Sequence, residues 1–507
     1  MSRLARYRPS ADDGVALFAG VAAVAGSLVA VGFSPAFVAS PLERWLAREM
    51  PGIVVSLAIQ YLGSLGQQLN LVMAALVTVL LLGGVARVGM AVGDALYNRA
   101  VPPILSGTAV FTLGTVVTGS FSSSGGAAVG TALALGFATL SPSLPTRGHG
   151  ETSDDRRRVL ASLGTAAGLG VVASVFGSRA PEPDVGIPEN ARPEVQNALQ
   201  RATDSSLDVS GLEGLVSDEF FTVDINAVDP EVEVTDWELS VTGAVEEEIT
   251  LDMEDIRSME SRTEFNTLRC VGESLNGKKM DNALWTGVDV MDIVERAGPQ
   301  SDCECVMFRA DDDYYEEFPI AALNGAMLAY EMNGRPLPRG HGYPLRALVP
   351  GHWGEINVKW ITEIEVLERE AEGYWEERGW HGTGPVESVA KIHATNTLAE
   401  GRKQVAGHAY AGTRGVSTVE VSIDGGDTWN EARLSEPLTE SVDWEGDPGQ
   451  TPHAPDVWRQ WAYEYDHPGS RHEVVARVVE DDGTVQSSER RESFPNGPAG
   501  WVSRTVQ

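Results

Sequence analysis

Three cysteines lie in this chain of 507 residues, and one of them stands apart. Cys303 and Cys305 are separated by one residue in an acidic segment, whereas Cys270 is alone in the run Phe265-Asn-Thr-Leu-Arg-Cys270-Val-Gly-Glu. A short extended run ends there at Val271-Gly272, a break at which a side chain can point into a cleft. Two readings of a lone thiol stay open: a small buried hydrophobe, or a reactive thiolate. Arg269, directly before it, would favour the thiolate by its charge, unless it serves a surface salt bridge. His341 and Arg346 lie five residues apart around Pro344, and Lys359 follows thirteen residues later. Taken singly, a His before Gly and a Lys before Trp are ordinary loop and strand residues. The acid run Asp311-Asp-Asp-Tyr314 precedes them. None of the Cys and His spacings fits a zinc site or a c-type haem.

Short strands and helices must position these groups. Val232 to Gly243 alternates apolar and polar residues before a glycine turn and reads as strand, and Leu251 to Met259 reads as a short helix. The Cys270 strand comes next, then an amphipathic helix at 289–297 built on Val290, Ile293 and Val294, then a strand at 306–309. Strands return from Val389. Val419 to Ile423 alternates, and Asp424-Gly-Gly-Asp-Thr-Trp429 turns it into a hairpin capped by an aromatic ring. Trp458, Trp461, Tyr463 and Tyr465 precede Pro468-Gly469, and Val474 to Val479 forms a further strand. Such spacing of short antiparallel strands argues for an immunoglobulin-like sandwich.

The first third of the chain is different. Apolar runs long enough to cross a bilayer occur at 14–33, 69–86, 101–119, 125–142 and 159–177. Residues 34–68 read as an external or re-entrant loop at the interface. With five spans and a cytoplasmic N-terminus, Arg3, Arg6, Arg8, Arg87, Arg99, Arg147 and Arg156 to Arg158 fall inside, leaving Arg44 and Arg48 outside. A sixth span would put the triple arginine outside, so five spans are expected and everything after residue 178 faces out. The last span opens Asp154-Asp155-Arg156-Arg157-Arg158, which reads either as an internal, uncleaved twin-arginine export signal or as a plain cytoplasmic charge anchor. His149 is the one histidine in residues 1–180, too few for a membrane haem.

Charge follows the same division. The net charge is −34, yet residues 1–180 hold 12 Arg and 8 Asp or Glu, so the remainder carries 26 basic and 64 acidic residues. Lysines number five against thirty-three arginines, in the style of a haloarchaeal protein whose acidic surface is screened by salt. Nucleic acid is excluded as a partner for that surface. Pro-rich residues 179–193 read as a linker, and 194–215 as a tether or weak helix.

Taken in order, Leu268-Arg-Cys270-Val-Gly, Trp285-Thr-Gly287, Leu328-Ala-Tyr-Glu-Met-Asn-Gly-Arg-Pro-Leu-Pro338, His341-Gly-Tyr-Pro-Leu-Arg346-Ala-Leu-Val-Pro-Gly351, Val358-Lys-Trp360 and Gly373-Tyr-Trp-Glu-Glu-Arg-Gly-Trp380 resemble the molybdopterin-dependent oxidoreductases of the sulfite oxidase superfamily. The likeness runs from about residue 218 to the end, and the arginine-led last span resembles a membrane-anchored branch of that family. It implies a multi-domain fold: an all-α transmembrane bundle at 1–178, a linker at 179–217, an α+β molybdopterin-binding domain at 218–385 and an all-β immunoglobulin-like dimerisation domain at 386–507. It also implies that Cys270 is the thiolate ligand of molybdenum and that His341, Arg346 and Lys359 reach the pterin and its phosphate. Those roles suit the groups, because a guanidinium forks two phosphate oxygens and an ammonium acts as a point charge. Asp312 matches an acid in a loop near the metal, and Phe220, Thr222 and Asp224 occupy the family's Phe-x-Arg-Asn-His access motif.

Two departures bear on substrate. Thr222 stands where that motif has an arginine, and Trp380 stands where sulfite oxidases hold a tyrosine over the metal. A site without that cation and hydroxyl should bind sulfite poorly. The resemblance therefore implies a membrane-anchored enzyme, carrying molybdenum-molybdopterin and no haem, that moves an oxygen atom to or from a small-molecule substrate. Electrons would pass to or from a separate copper protein or cytochrome, and a homodimer is expected. The alternative is a surface-anchored binding protein that kept the fold without catalysis.

Overall fold

A computed structural model describes residues 10–62, 64–140, 159–160, 162–167, 191–438 and 456–507. The chain divides into two units: the described residues of 1–50, 64–181 and 224–231 form one, and those of 51–63, 182–223 and 232–507 the other.

The first unit is helical. Among the described residues four helices are long and apolar enough to cross a membrane: Ala11–Val31, Leu65–Ala95, Val101–Thr118 and Phe121–Thr139. They correspond to α1 (Ala11–Val31), α4 (Ser64–Ala95), α5 (Val101–Thr118) and α6 (Phe121–Leu140). Ser10 caps α1 by accepting from the Asp13 N–H, and Asp13 accepts the Ser10 N–H in return at 2.8 Å. Close crossing of apolar helices needs small residues, and the glycines supply them. A Cβ on Gly26 would lie 2.2 Å from the Gly126 carbonyl oxygen, and one on Gly126 would lie 2.3 Å from that of Gly26. Of the fifth expected span, residues 159–160 and 162–167 are helical; Arg156 to Arg158 and residues 168–177 lie outside the described residues. The stretch read as an interfacial loop is instead helical in part, as α2 (Ser40–Arg48) and α3 (Gly52–Leu57), the latter continuing as a π turn through Leu62. Residues 51–63 group with the second unit, where Gly52 lies against the Arg378 carbonyl.

In the second unit, β1 (Leu239–Gly243), β2 (Ile249–Leu251), β5 (Cys305–Ala310), β6 (Tyr315–Pro319) and β10 (Ile361–Val366) form a sheet in the order β2-β1-β10-β5-β6. β1 and β10 are parallel, Val241 facing Ile364, although some 120 residues separate them. The run from Val232 is strand only from Leu239 onward. The helix Val290–Ala297 buries Val290, Ile293 and Val294 in the core of this sheet, and Asp289 caps it by accepting from the Met291 N–H at 2.8 Å. The second sheet, on which Cys270 and Arg346 are set, holds β3 (Ser261–Arg269), β4 (Met280–Asp289), β7 (Met327–Met332), β8 (Arg335–Pro336) and β9 (Arg346–Leu348). Cys303 and Cys305 are joined in a disulfide, a local staple rather than a scaffold.

The C-terminal part is β-rich. One antiparallel sheet runs β11 (Val389–Ala390), β13 (Lys403–Tyr410), β17 (Arg459–Tyr465), β16 (Arg433–Leu434), with β12 (Ala394–Thr397) also on β13. The other runs β15 (Asn430–Glu431), β14 (Thr418–Ser422), β18 (His472–Val479), β19 (Val502–Val506). The expected hairpin is present, with Val421 opposite Asn430. Val405 and Trp461 from the first sheet share a core with Val419, Val421, Val474 and Ala476 from the second. The segment read as a tether or weak helix is a packed helix over Pro193–Ser205, whose Val195, Ala198, Leu199 and Ala202 join that same core.

Candidate active site

Cys270 sits one residue beyond β3, in the loop that leads to β4. Its N–H donates to the Lys279 carbonyl at 2.9 Å, so the loop closes on itself where the two strands stop pairing. The thiol is the one free cysteine among the described residues and is 6% exposed. Burial pushes its pKa up to about 11, an effect that the Lys279 ammonium partly opposes. Gly354 backs the same peptide: a Cβ there would stand 3.2 Å from the Arg269 oxygen and 3.8 Å from the Cys270 Cα. Arg269 makes no surface salt bridge. It is fully buried, pairs with Glu273 at 3.1 Å, and lies 4.8 Å over the Trp353 ring.

The cationic residues converge on Gly342. That glycine has φ +105°, and a Cβ on it would lie 3.0 Å from both the Arg346 and Lys359 Cβ atoms. Only glycine fits both the angle and the space. The Lys359 Nζ donates to the Gly340 carbonyl at 2.9 Å, and the Arg346 guanidinium to the Asn357 carbonyl at 3.0 Å and the His341 carbonyl at 3.4 Å. Burial and then these two cations hold the His341 pKa down at about 3, so its imidazole is neutral at physiological pH. Two fixed positive charges and a neutral imidazole around a glycine form a cradle for an anionic group.

Aromatic rings wall this cradle. Phe220 meets the Trp285 ring edge-on at 5.5 Å and the His341 ring at 5.6 Å, while Arg346 lies 5.2 Å over Trp285. Trp285 is fully buried on β4 and anchors its indole to the Asn266 carbonyl at 3.3 Å, which ties the cradle to the Cys270 strand. Asp312 is buried in the β5–β6 turn and accepts from the Tyr314 N–H at 3.1 Å. Its neighbour Asp311 donates an N–H to the Trp360 carbonyl, so the turn abuts the residue after Lys359.

Other expected residues are arranged differently. Thr222 is exposed, and Asp224 belongs to the segment 224–231 of the helical unit, its carbonyl accepting from Gln67 at 3.0 Å. Trp380 is 1% exposed, packed against Phe494 at 5.2 Å in the core that also holds Val271 and Trp353. Its Nε1–H is buried with no hydrogen-bond partner among the described residues.

Several residues beside the site carried no sequence signal. Gly382 separates Val271 from the Glu355 carboxylate, which a Cβ would approach to 2.6 and 2.9 Å respectively. Glu316 is fully buried and accepts from the Tyr314 hydroxyl at 2.8 Å, and both Glu316 and Glu376 press against Gly373. Burial first, then the neighbouring carboxylates, hold the Glu316 and Glu355 carboxyls well above the ordinary range. Acid runs are so common here that no local pattern marks these three. Lys391 and Trp353 were likewise invisible, because their partners Glu273 and Arg269 lie far off in the chain.

Residues 226–375 match the oxidoreductase molybdopterin binding domain, and 385–493 match the Mo-co oxidoreductase dimerisation domain. The mitochondrial sulfite oxidase of Macaca fascicularis is 28% identical over 308 residues, covering 51% of this chain and 54% of that protein. An uncharacterized oxidoreductase of Bacillus subtilis, YuiH, is 30% identical over 154 residues, covering 30% of this chain and 76% of that protein. The sulfane dehydrogenase SoxCD from Paracoccus pantotrophus superimposes with a TM-score of 0.47 at 18% identity, over 66% of this chain and 94% of that chain. The chain belongs to the sulfite oxidase superfamily and is a molybdopterin-dependent oxidoreductase. It spans about half the length of the mitochondrial sulfite oxidases it matches, 54% in each case.

Proposed function

We propose that this oxidoreductase is a membrane-anchored enzyme that transfers an oxygen atom to or from a small substrate, with its catalytic domain outside the cell. The observation that carries the reading is the buried free thiol of Cys270 at the end of β3, together with an aromatic-walled cradle of His341, Arg346 and Lys359 that Trp285 ties to that strand. The residues present fit a molybdopterin: a soft thiolate donor for the metal, and two cations and a tight glycine for the phosphate. Bound molybdenum would supply two-electron oxygen-atom exchange. The protein's part is to hold and screen the site. Arg346 and Lys359 neutralise the cofactor phosphate, His341 offers a neutral imidazole to the pterin, and Phe220 and Trp285 exclude water. Asp312 borders the site, Thr222 and Asp224 belong to the access segment, and Trp380 covers the cofactor.

Sulfite is a poor candidate, because Thr222 and Trp380 replace the cation and hydroxyl expected for an oxyanion. We further propose five membrane spans with a cytoplasmic N-terminus, supported by the arginine distribution. An immunoglobulin-like C-terminal domain that forms a homodimer is supported by the match to a dimerisation domain and by the two packed sheets. Electrons would leave or arrive through a separate copper protein or cytochrome.

Elemental analysis tests this. Full-length protein from cells supplied with molybdate should carry close to one molybdenum, and Cys270→Ser should abolish activity while leaving both soluble domains folded. Less than about a tenth of an equivalent in the wild type would sink the enzyme reading and favour a binding protein, since a resident cofactor binds too tightly to be lost in purification.

A further inference from the structure

The Cys270 loop is tied to the C-terminal domain through three side chains: Lys391 from that domain, Asn276 from the loop and Arg269 from the end of β3. Glu273 lies inside the loop, 2% exposed, and its Oε2 accepts the Lys279 N–H at 3.0 Å. Its Oε1 accepts from two buried cations, the Arg269 Nε at 3.1 Å and the Lys391 Nζ at 2.5 Å. Lys391 comes from the segment between β11 and β12, is fully buried, and also donates to the Gly277 carbonyl at 3.0 Å. Next to it, Ile392 exchanges two hydrogen bonds with the Asn276 side chain, at 2.8 and 3.0 Å. Arg269 extends the other way, to the Glu387 carbonyl at 2.6 Å and the Pro498 carbonyl at 3.3 Å.

Two cations on one carboxylate in a dry interior are an odd choice for stability alone. Desolvating such charges is expensive, and an apolar trio of the same volume would fold as well or better. What the charges supply is a single allowed geometry. Each must meet its partners or remain buried and unpaired, so the loop has one register against the C-terminal domain. Glu273, Asn276, Gly277 and Lys279 are all held, every one of them within nine residues of Cys270. A ligand atom must be held within about 0.5 Å to serve a metal, and a loop pinned only at its strand ends would wander further than that.

We propose that Lys391 is a positioning residue for the Cys270 thiolate, and that the C-terminal domain, through Lys391, sets the geometry of the metal-ligand loop. The claim rests on the reading of Cys270 as the molybdenum ligand. It gives the C-terminal domain a part in the active site besides joining subunits.

The test uses full-length protein in detergent, prepared without cofactor, and the rate at which N-ethylmaleimide alkylates Cys270. Lys391→Met should raise that rate about tenfold, the factor that corresponds to about 1.4 kcal/mol of lost loop closure. Lys391→Arg should restore it to near the wild-type value. In loaded enzyme, Lys391→Met should lower kcat and leave KM unchanged. Wild-type alkylation of a folded Lys391→Met protein, or failure of arginine to restore protection, would overturn the proposal. If Lys391→Met does not fold, Asn276→Ala decides. Asn276 is exposed, and its loss should raise alkylation about threefold by releasing one pair of hydrogen bonds, whereas an unchanged rate would overturn the proposal. Alkylation is read without metal, so a wild type that binds no molybdenum would defeat the proposed function, while the alkylation rates alone would still decide whether Lys391 holds the loop.

Discussion

Asp456→Asn should remove a large part of the pH dependence of folding stability. Asp456 is buried where the C-terminal domain meets the site, accepting from the Tyr410 hydroxyl at 2.6 Å and from the Gly351 N–H and the Asn266 amide at 2.9 Å each. Burial outweighs these hydrogen bonds and raises its pKa to about 7, from an ordinary value of 3.8. The folded acid therefore binds its proton more tightly than the unfolded one. Between those two pKa values the native state holds more protons, so stability falls as pH rises and is fully present only below the unfolded pKa. At about 1.36 kcal/mol per pH unit, tapering as the folded acid titrates, the loss from pH 5 is about 2.3 kcal/mol by pH 7 and close to about 2.7 kcal/mol by pH 8. Asparagine cannot titrate, but its NH₂ would face a donor, which costs about 1 kcal/mol. The assay is denaturant unfolding of the full-length protein in detergent at fixed high salt, followed by tryptophan fluorescence at pH 5 and pH 8. The advantage of wild type over Asp456→Asn should shrink by about 2.7 kcal/mol across that range. An advantage constant to within about 0.5 kcal/mol would show that Asp456 is ionised throughout and that its hydrogen bonds, not burial, set its charge.

Two further substitutions probe the site. Gly342→Ala forces a side chain into φ +105° and against the Arg346 and Lys359 Cβ atoms, so molybdenum per protein should fall severalfold, with about 1–3 kcal/mol of strain in the folded state. Wild-type loading of Gly342→Ala would show that the cradle is elsewhere. Glu316→Gln keeps the shape of a carboxyl that burial holds protonated, so at pH 8 it should leave stability unchanged or raised, as a thermal melt will show. A clear loss at pH 8 would mean that Glu316 is ionised and paired.

Much was readable locally. Apolar runs of bilayer length mark α1, α4, α5 and α6 because hydropathy over twenty residues needs no knowledge of neighbours. The helix Val290–Ala297 was visible for a similar reason, with its Asp289 cap and its period of buried residues. So was the Asp424 to Trp429 hairpin, where turn chemistry is written in adjacent residues. Residues 194–215 stayed open between a tether and a weak helix because their polar surface hides a short buried stripe, which is settled as helix only once the C-terminal core receives it.

The residue types at the candidate site, Cys270 with His341, Arg346 and Lys359, were legible in order along the chain, each within two residues of a glycine, proline or tryptophan. Their meeting was not. It depends on β3, β4, β7 and β9 sharing one sheet and on Trp285 lying beneath Arg346, contacts between residues tens of positions apart. The same holds for Arg269, which the sequence left between a thiolate partner and a surface salt bridge. Folding buries it and hands its charge to Glu273, to Trp353 and to carbonyls more than a hundred residues away. Local periodicity and turn chemistry are decided by neighbours in the chain, so the sequence by itself determined the elements and the kinds of group. Which charges are buried, and what each then must pair with, is decided only when distant segments close over them and water is excluded.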